Sequence, residues 1–243
     1  MEQELRIKIP GTKLKIHGFL RGKKSAPLVV FVHGLTGNMN EHLFFNGARW
    51  FEKKGFATFR FNLYDWEKGT RKIEDCTIQT HADDLDVVLA AMRRRGFKRI
   101  HVVGHSYGGA TIVASQSHGV LRATLWDPTA LPTFKKYDTR PSAEKNMYRL
   151  PGGYTTLIGK AMYDENETLN SPAKLNVFVV PSKVICAEKC ELLPIWKKAF
   201  RSYGWKQHIL DCVKGATHCF DEDGKAEELY KKTLAWMTKQ NNR

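Results

Sequence analysis

A mostly parallel, doubly wound α/β sheet with helices on both faces is the fold class this chain predicts, on three observations. The run Leu28-Val29-Val30-Phe31-Val32-His33 is apolar at nearly every position, as a central strand covered on both faces must be. Strand-like runs then alternate with helical ones long enough to serve as crossovers. Near the middle of the chain, Arg99-Ile100-His101-Val102-Val103 ends abruptly in Gly104-His105-Ser106-Tyr107-Gly108 and passes into the small residues Gly109 and Ala110. In such a sheet the reactive residues gather at the carboxyl ends of the strands.

Ahead of that core, Leu5, Ile7 and Ile9 and then Leu14 and Ile16 alternate about Pro10-Gly11, which predicts an N-terminal β-hairpin with one buried face. Residues 41–54 read as a helix stopped by Gly55, and residues 56–62 as the next strand. From Asp75 onward Ile78, Ala82, Leu85, Leu89 and Met92 recur at steps of three and four, giving one apolar helix face up to Arg95, where Gly96 stops it. A helix is expected over 110–117 and a strand over 123–127. Alternation resumes with a strand at 183–187, a helix around 194–203, a strand at 207–213 and a terminal amphipathic helix over 221–239. The roughly fifty residues between Asp127 and Lys183 are too many for an ordinary connection. They are rich in Pro, Gly and Tyr, and Val177-Phe178-Val179-Val180 is their first sustained apolar strand pattern. The expected organisation is a core from 1–127 and 183–243, with a lid over 128–182 between the sixth and seventh strands.

Composition narrows the function classes. At 243 residues the chain accommodates one α/β domain with a full core. It has 42% hydrophobic and 26% charged residues, which is ordinary for a globular protein. No apolar run approaches the roughly 20 residues that a membrane span needs. The start, Met1-Glu2-Gln3-Glu4-Leu5, is acidic and lacks the apolar core of a signal peptide, which predicts a cytoplasmic location. Cys76, Cys186, Cys190, Cys212 and Cys219 are odd in number and hold no C-x-x-C pair, as expected of reduced thiols. Cys212, His218 and Cys219 lie close in sequence but at no recognised zinc spacing, so neither a metal nor an organic cofactor is expected. A formal charge of +14 raises nucleic acid or another anionic surface as a partner. Yet the basic residues are dispersed, as in Lys53-Lys54, Arg93-Arg94-Arg95 and Lys197-Lys198, mostly at helix ends and turns where cations stay solvated. That distribution argues against nucleic acid and leaves the oligomeric state open.

Gly-x-Ser-x-Gly between a strand and a helix is the sequence form of a nucleophile elbow, so Ser106 is the candidate nucleophile. A serine hydroxyl is weakly nucleophilic and needs a base within hydrogen-bond reach, with a third group to orient that base. His218 suits the role by position, in the loop Lys214-Gly215-Ala216-Thr217-His218-Cys219-Phe220 between the last strand and the last helix. His33 and His105 are rivals that fit less well. His105 sits inside the turn with its side chain directed away from that of Ser106, and His33 ends a buried strand where it braces the loop that follows.

His33-Gly34-Leu35-Thr36-Gly37-Asn38, Gly104-His105-Ser106-Tyr107-Gly108-Gly109 and Gly215-Ala216-Thr217-His218 together resemble the α/β-hydrolase superfamily over essentially the whole chain. The His-Gly-x-Thr-Gly-Asn segment followed by Glu41, with the lid position, is similar to its cinnamoyl (feruloyl) esterase-like branch. The resemblance implies an α/β-hydrolase fold and an oxyanion hole on the backbone N–H groups of Leu35 and Tyr107. It also implies hydrolysis of a small-molecule carboxylic ester through an acyl-enzyme, with no cofactor. Thioesterase and acyltransferase chemistry use the same apparatus, and a non-catalytic basic scaffold for an anionic partner is the rival from another class. The sequence departs from the family at the acid, because the place of the usual aspartate, after Lys183-Val184-Ile185-Cys186-Ala187, aligns with Cys190. A neutral thiol cannot stabilise an imidazolium. Asp127, after the preceding strand, is the favoured acid, with Glu188 and Glu191 as alternatives. Tyr137, Met147, Tyr148, Leu157, Ile158, Met162 and Tyr163 of the lid either line an acyl or aromatic pocket or pack the lid's own core.

Overall fold

The computed structural model describes residues 2–135, 139–142, 146–150 and 156–239. A hairpin of β1 (Glu2–Lys8) and β2 (Lys15–Arg21) leads to β3 (Leu28–Val32), α1 (His42–Lys53), β4 (Ala57–Phe61) and α2 (Ile78–Arg94). Then come β5 (Ile100–His105), α3 (Tyr107–Ala114) and β6 (Val120–Trp126). After a connection that carries β7 (Arg140–Pro141), β8 (Met147–Leu150), β9 (Thr156–Gly159), α4 (Lys160–Asn166) and α5 (Ser171–Val177), the alternation closes with β10 (Ser182–Ala187), α6 (Leu192–Tyr203), β11 (His208–Val213) and α7 (Lys225–Thr238). The main sheet has eight strands in the order β1-β2-β4-β3-β5-β6-β10-β11. Pairing is antiparallel at the hairpin and between β2 and β4, and parallel from β4 to β11. This is the mostly parallel α/β sheet that the sequence predicts.

Side-chain alternation along β3 divides the interior in two. Val29 and Phe31 join a core with Leu43, Phe44 and Phe51 of α1 and Leu229 and Tyr230 of α7. Leu28, Val30 and Val32 join the other core, with Leu85 and Val88 of α2, Ile112 of α3 and Trp196 of α6. A strand buried on both sides must be apolar throughout, which is why residues 28–32 show no period of two. Each such side chain contributes about 1.5–3 kcal/mol by leaving water. Gly55 and Gly96 end α1 and α2 with φ of +84° and +98°, a region that side chains rarely adopt.

Three local expectations are corrected. The helix after the elbow spans Tyr107–Ala114 rather than 110–117, because Gly109 N and Ala110 N already donate to Ser106 O. Residues 177–180 form no strand: Val177 closes α5, and Val177 and Val179 are 76% and 78% exposed while Phe178 and Val180 are buried. The flanks of β10, the strand this segment leads into, are already occupied by β6 and β11, so it has no vacant place beside β10. The last helix starts at Lys225 rather than Asp221, behind Gly224 at φ +74°. None of the helices is long and apolar enough to cross a membrane, among the described residues.

Candidate active site

Ser106 sits where β5 meets α3, with φ 55° and ψ −121°. A left-handed φ on a non-glycine residue costs about 1–3 kcal/mol and persists only where the surroundings hold it. Here Ser106 N donates to Trp126 O at 2.9 Å, and Ser106 O accepts from Gly109 N at 3.0 Å and Thr129 N at 3.1 Å. The turn is also too tight for side chains on its glycines. A Cβ on Gly104 would lie 2.5 Å from Gly108 O, and one on Gly108 only 2.2 Å from Val32 O. The motif's glycines therefore let α3 press onto the strands while the serine hydroxyl stands clear.

Asp127 follows a rigid mount. Trp126 is fully buried, stacks on Phe44 at 6.3 Å between ring centroids and donates Nε1–H to Thr233 Oγ1 at 2.9 Å. The next residue turns with φ 38°, and its N–H donates to Ile185 O at 2.8 Å. Its carboxylate, wholly shielded from solvent, accepts from Ala187 N at 3.1 Å through Oδ1. Oδ2 lies 2.6 Å from His218 Nδ1, and His218 Nε2 lies 3.0 Å from Ser106 Oγ. The tautomer this pairing requires has Nδ1–H donating to Asp127 and Nε2 accepting from the serine hydroxyl. Such an arrangement can move a proton from Ser106 to an imidazole held beside a buried anion.

The loop that carries His218 is pinned from several sides. Gly215 N donates to Glu188 Oε2 at 2.7 Å, and Thr217 N to Glu222 Oε1 at 2.8 Å. His105 Nε2 lies 2.8 Å from the His218 carbonyl oxygen. Burial, and then the neighbouring His218, lower the His105 pKa to about 3, so its ring is neutral and Nε2–H donates. Thus the rival base faces away from Ser106 and holds the backbone of His218 instead. Nothing in sequence signals this beyond its place next to the serine. The other rival, His33, accepts from Leu63 N at 2.9 Å through Nε2 and bonds Gly34 O at 2.8 Å through Nδ1. It is likewise buried neutral, with a pKa lowered to about 4, and it braces the Gly34–Asn38 loop.

Among the sequence's candidate acids, the fold brings only Asp127 to His218. Glu188 is exposed and is used by Gly215, and Glu191 is exposed at the N-cap of α6. Cys190, at the expected acid position, lies 3.9 Å from His218 Nδ1 through Sγ. Burial, then Asp127, push its thiol up to about 12, which leaves it neutral near pH 7.

Tyr107 is the first residue of α3, where N–H groups lack intrahelical acceptors. Among the described residues no acceptor takes the N–H of Tyr107 or of Leu35. Gly34 packs against the serine, since a Cβ placed on it would lie 3.2 Å from Ser106 Cβ. The loop that bears Leu35 thus lies next to Ser106. Beyond it opens a cavity of about 690 Å³, bounded by Thr36, Gly37, Tyr64, Trp66, Met147 and Leu157.

The connection between β6 and β10 packs close by. Ile158 and Met162 are fully buried in a third core with Tyr107 and Phe134, while Tyr148 and Tyr163 are partly buried and stack at 3.9 Å. Packing thus absorbs much of the apolar set of this connection, as one of the two readings of the sequence has it; Tyr137 lies outside the described residues. Asn166, buried in α4, donates Nδ2–H to Tyr107 Oη at 2.5 Å and accepts from Thr133 N and Phe134 N through Oδ1. This tie to the residue after Ser106 was not visible in sequence.

A family model described as alpha/beta hydrolase fold matches residues 27–157. No curated protein matches the sequence at a significant level. Among solved structures, Est1E from Butyrivibrio proteoclasticus with ferulic acid bound is similar at TM-score 0.78 and 20% identity, covering 97% of this chain and 100% of that one. The esterase domain of a Rhodothermus marinus protein is similar at 0.75 and 16% identity, covering 97% of each chain. The α/β hydrolase GrgF from Penicillium sp. sh18 is similar at 0.76 and 14% identity, covering 98% of each. At these identities the likeness is one of fold.

Proposed function

The chain belongs to the α/β-hydrolase family, and from that premise we propose that it is a serine hydrolase that cleaves carboxylic esters through an acyl-enzyme on Ser106. One observation carries the reading: the unbroken run of contacts from Ser106 Oγ, at 3.0 Å, to His218 and on, at 2.6 Å, to the buried carboxylate of Asp127. His218 takes the serine proton as Oγ attacks the ester carbonyl and returns it to the departing alcohol. It then activates water to release the acid. Asp127 keeps Nδ1–H in place and stabilises the imidazolium, while the N–H groups of Leu35 and Tyr107 receive the oxyanion, a donor being worth roughly 3 kcal/mol.

Residues 128–182 form the lid of this site. The cavity between the oxyanion loop and Met147 and Leu157 supports that assignment. Aromatic or short acyl esters are the favoured substrates. In support, the cavity is walled by Tyr64 and Trp66, the latter 87% exposed, and the similar Est1E binds an aromatic acid.

The test is fluorophosphonate labelling followed by peptide mapping, with a panel of short, long, aromatic and thioester acyl substrates. We expect label on Ser106, none in Ser106→Ala, and turnover of short or aromatic oxygen esters. Absence of label on an intact, folded protein would overturn the reading, and a preference for thioesters would redirect it.

A further inference from the structure

Outside the proton path itself, the least ordinary feature near Ser106 is the thiol that stands where an acid is expected. Cys190 Sγ lies 3.9 Å from His218 Nδ1, which lies 2.6 Å from Asp127 Oδ2, and one donor atom from each of the three residues falls within 4.8 Å of the others. These are a thiol, an imidazole and a carboxylate, the three donor types that zinc takes. No local spacing rule finds them, because they come from the ends of β6 and β10 and the loop after β11.

We propose that Asp127, Cys190 and His218 form an inhibitory site for a zinc-like divalent cation, which binds in place of the His218 Nδ1 proton and disconnects the base from Ser106. Tetrahedral bonds of about 2.3 Å to sulfur and about 2.0–2.2 Å to nitrogen and oxygen require an S···N separation near 3.6 Å and an N···O separation near 3.4 Å. The observed values are 3.9 Å and 2.6 Å. The thiol thus closes by about 0.3 Å and the imidazole draws back from Asp127 by about 0.8 Å, shifts within reach of side-chain rotation. Three protein ligands leave a fourth position for water.

The proton balance explains the inhibition. Cys190 gives up its thiol proton to solvent. The imidazole stays neutral but changes tautomer, so the proton formerly on Nδ1 appears on Nε2. A protonated Nε2 donates and cannot accept from Ser106. No electron moves, and the thiolate and carboxylate neutralise the dication. The site's own two anions balance the dication, so binding there does not call on the rest of a protein whose net charge is +14.

The occurrence of this site does not depend on the proposed activity; its consequence for turnover does. Titration of the full-length protein with zinc chloride should suppress ester turnover, and a chelator should restore it. In Cys190→Ser, the zinc concentration for half-inhibition, normalised to that variant's own uninhibited rate, should rise about tenfold or more, as losing a ligand exceeds the 10–100-fold cost of losing an outer partner at its lower end. Cobalt(II) supplies a readout free of activity. It should give a thiolate-to-cobalt charge-transfer band that persists in Ser106→Ala and Cys219→Ser and disappears in Cys190→Ser. A Cys190→Ser protein as zinc-sensitive as the parent, or a cobalt band that follows Cys219, would overturn the proposal. An intact band with no turnover of any ester would instead count against the serine-hydrolase reading.

Discussion

The rim that carries Ser106, Asp127 and His218 and the connection between β6 and β10 are held in different ways. On the rim, strained backbone at φ 55° and 38° is locked by hydrogen bonds between neighbouring strands, and Trp126 and the glycines of the elbow leave no room to relax. The connection is instead docked by the third core around Ile158 and Met162 and by polar side-chain ties. Asn166 reaches Tyr107, and Glu165 accepts from Ile78 N and Gln79 N at the start of α2. Gly159 lies so close to Glu74 O that a Cβ would come within 1.9 Å of it. A rim tied by backbone bonds fixes the side chains it carries, whereas the connection depends on side-chain packing and a few polar side-chain ties.

Substitutions that break this contrast should differ in size and in kinetic signature. The largest effects fall on the rim. Ser106→Ala should abolish turnover, and Asp127→Asn should lower kcat by about 10⁴-fold, since the amide misorients His218. Glu188→Gln and Glu191→Gln should each cost less than about tenfold, having no contact with the imidazole to lose. Near-normal kcat in Asp127→Asn would remove the acid from the scheme. Next in size is His105→Ala, which frees the His218 carbonyl. We expect a kcat loss of about 10–100-fold with KM little changed, and substantial rescue by His105→Gln, which keeps a donor. Equal loss in both variants would mark His105 as packing alone.

Asn166→Ala in the connection should act the other way, raising KM and shifting acyl-chain preference with kcat nearly intact. It should also cost about 1–3 kcal/mol in denaturant unfolding, from the amides and phenol left unpaired. A kcat effect as large as that of His105→Ala would erase the distinction between the two regions.

The smallest and most distributed effect is on pH dependence. Burial lowers the pKa of His33 and His101 to about 4, and that of His81 and His105 to about 3, from an ordinary 6.5. Between those values the unfolded chain binds protons that the folded chain refuses. Stability is therefore full above pH 6.5, declines as pH falls and levels off only below the folded values. Glu41, raised by burial and then by Asp221 to about 7, and Asp84, raised by burial, oppose this, while His208, lowered by burial, adds to it. Thermal midpoints should fall from pH 7 to pH 5; a flat profile would show that these histidines are not buried neutral.

Much of this was legible in the chain. The apolar run at 28–32, the glycine stops at 55 and 96 and the elbow around Ser106 are local patterns, readable because periodicity and turn chemistry act within a few residues. Other short-range signals misled. Val177 to Val180 have strand-like side chains but no vacant edge beside β10, and small residues just after Ser106 concealed that α3 begins at once. His218 was recognisable from its loop and Asp127 was the favoured acid from its place after a strand, but the sequence left Glu188 and Glu191 open beside it.

What the sequence determined alone is therefore the family's framework: the parallel sheet, the serine at a tight strand-to-helix turn and a histidine at the same edge. Only the tertiary structure decided that Asp127 rather than Glu188 or Glu191 meets that histidine, that His105 clasps its backbone and that Cys190 lies within 4 Å of its ring. The reason is distance along the chain. Residues 105, 127, 190 and 218 meet only because β5, β6, β10 and β11 lie side by side and end at one edge, and that order is set by the pairing of whole strands.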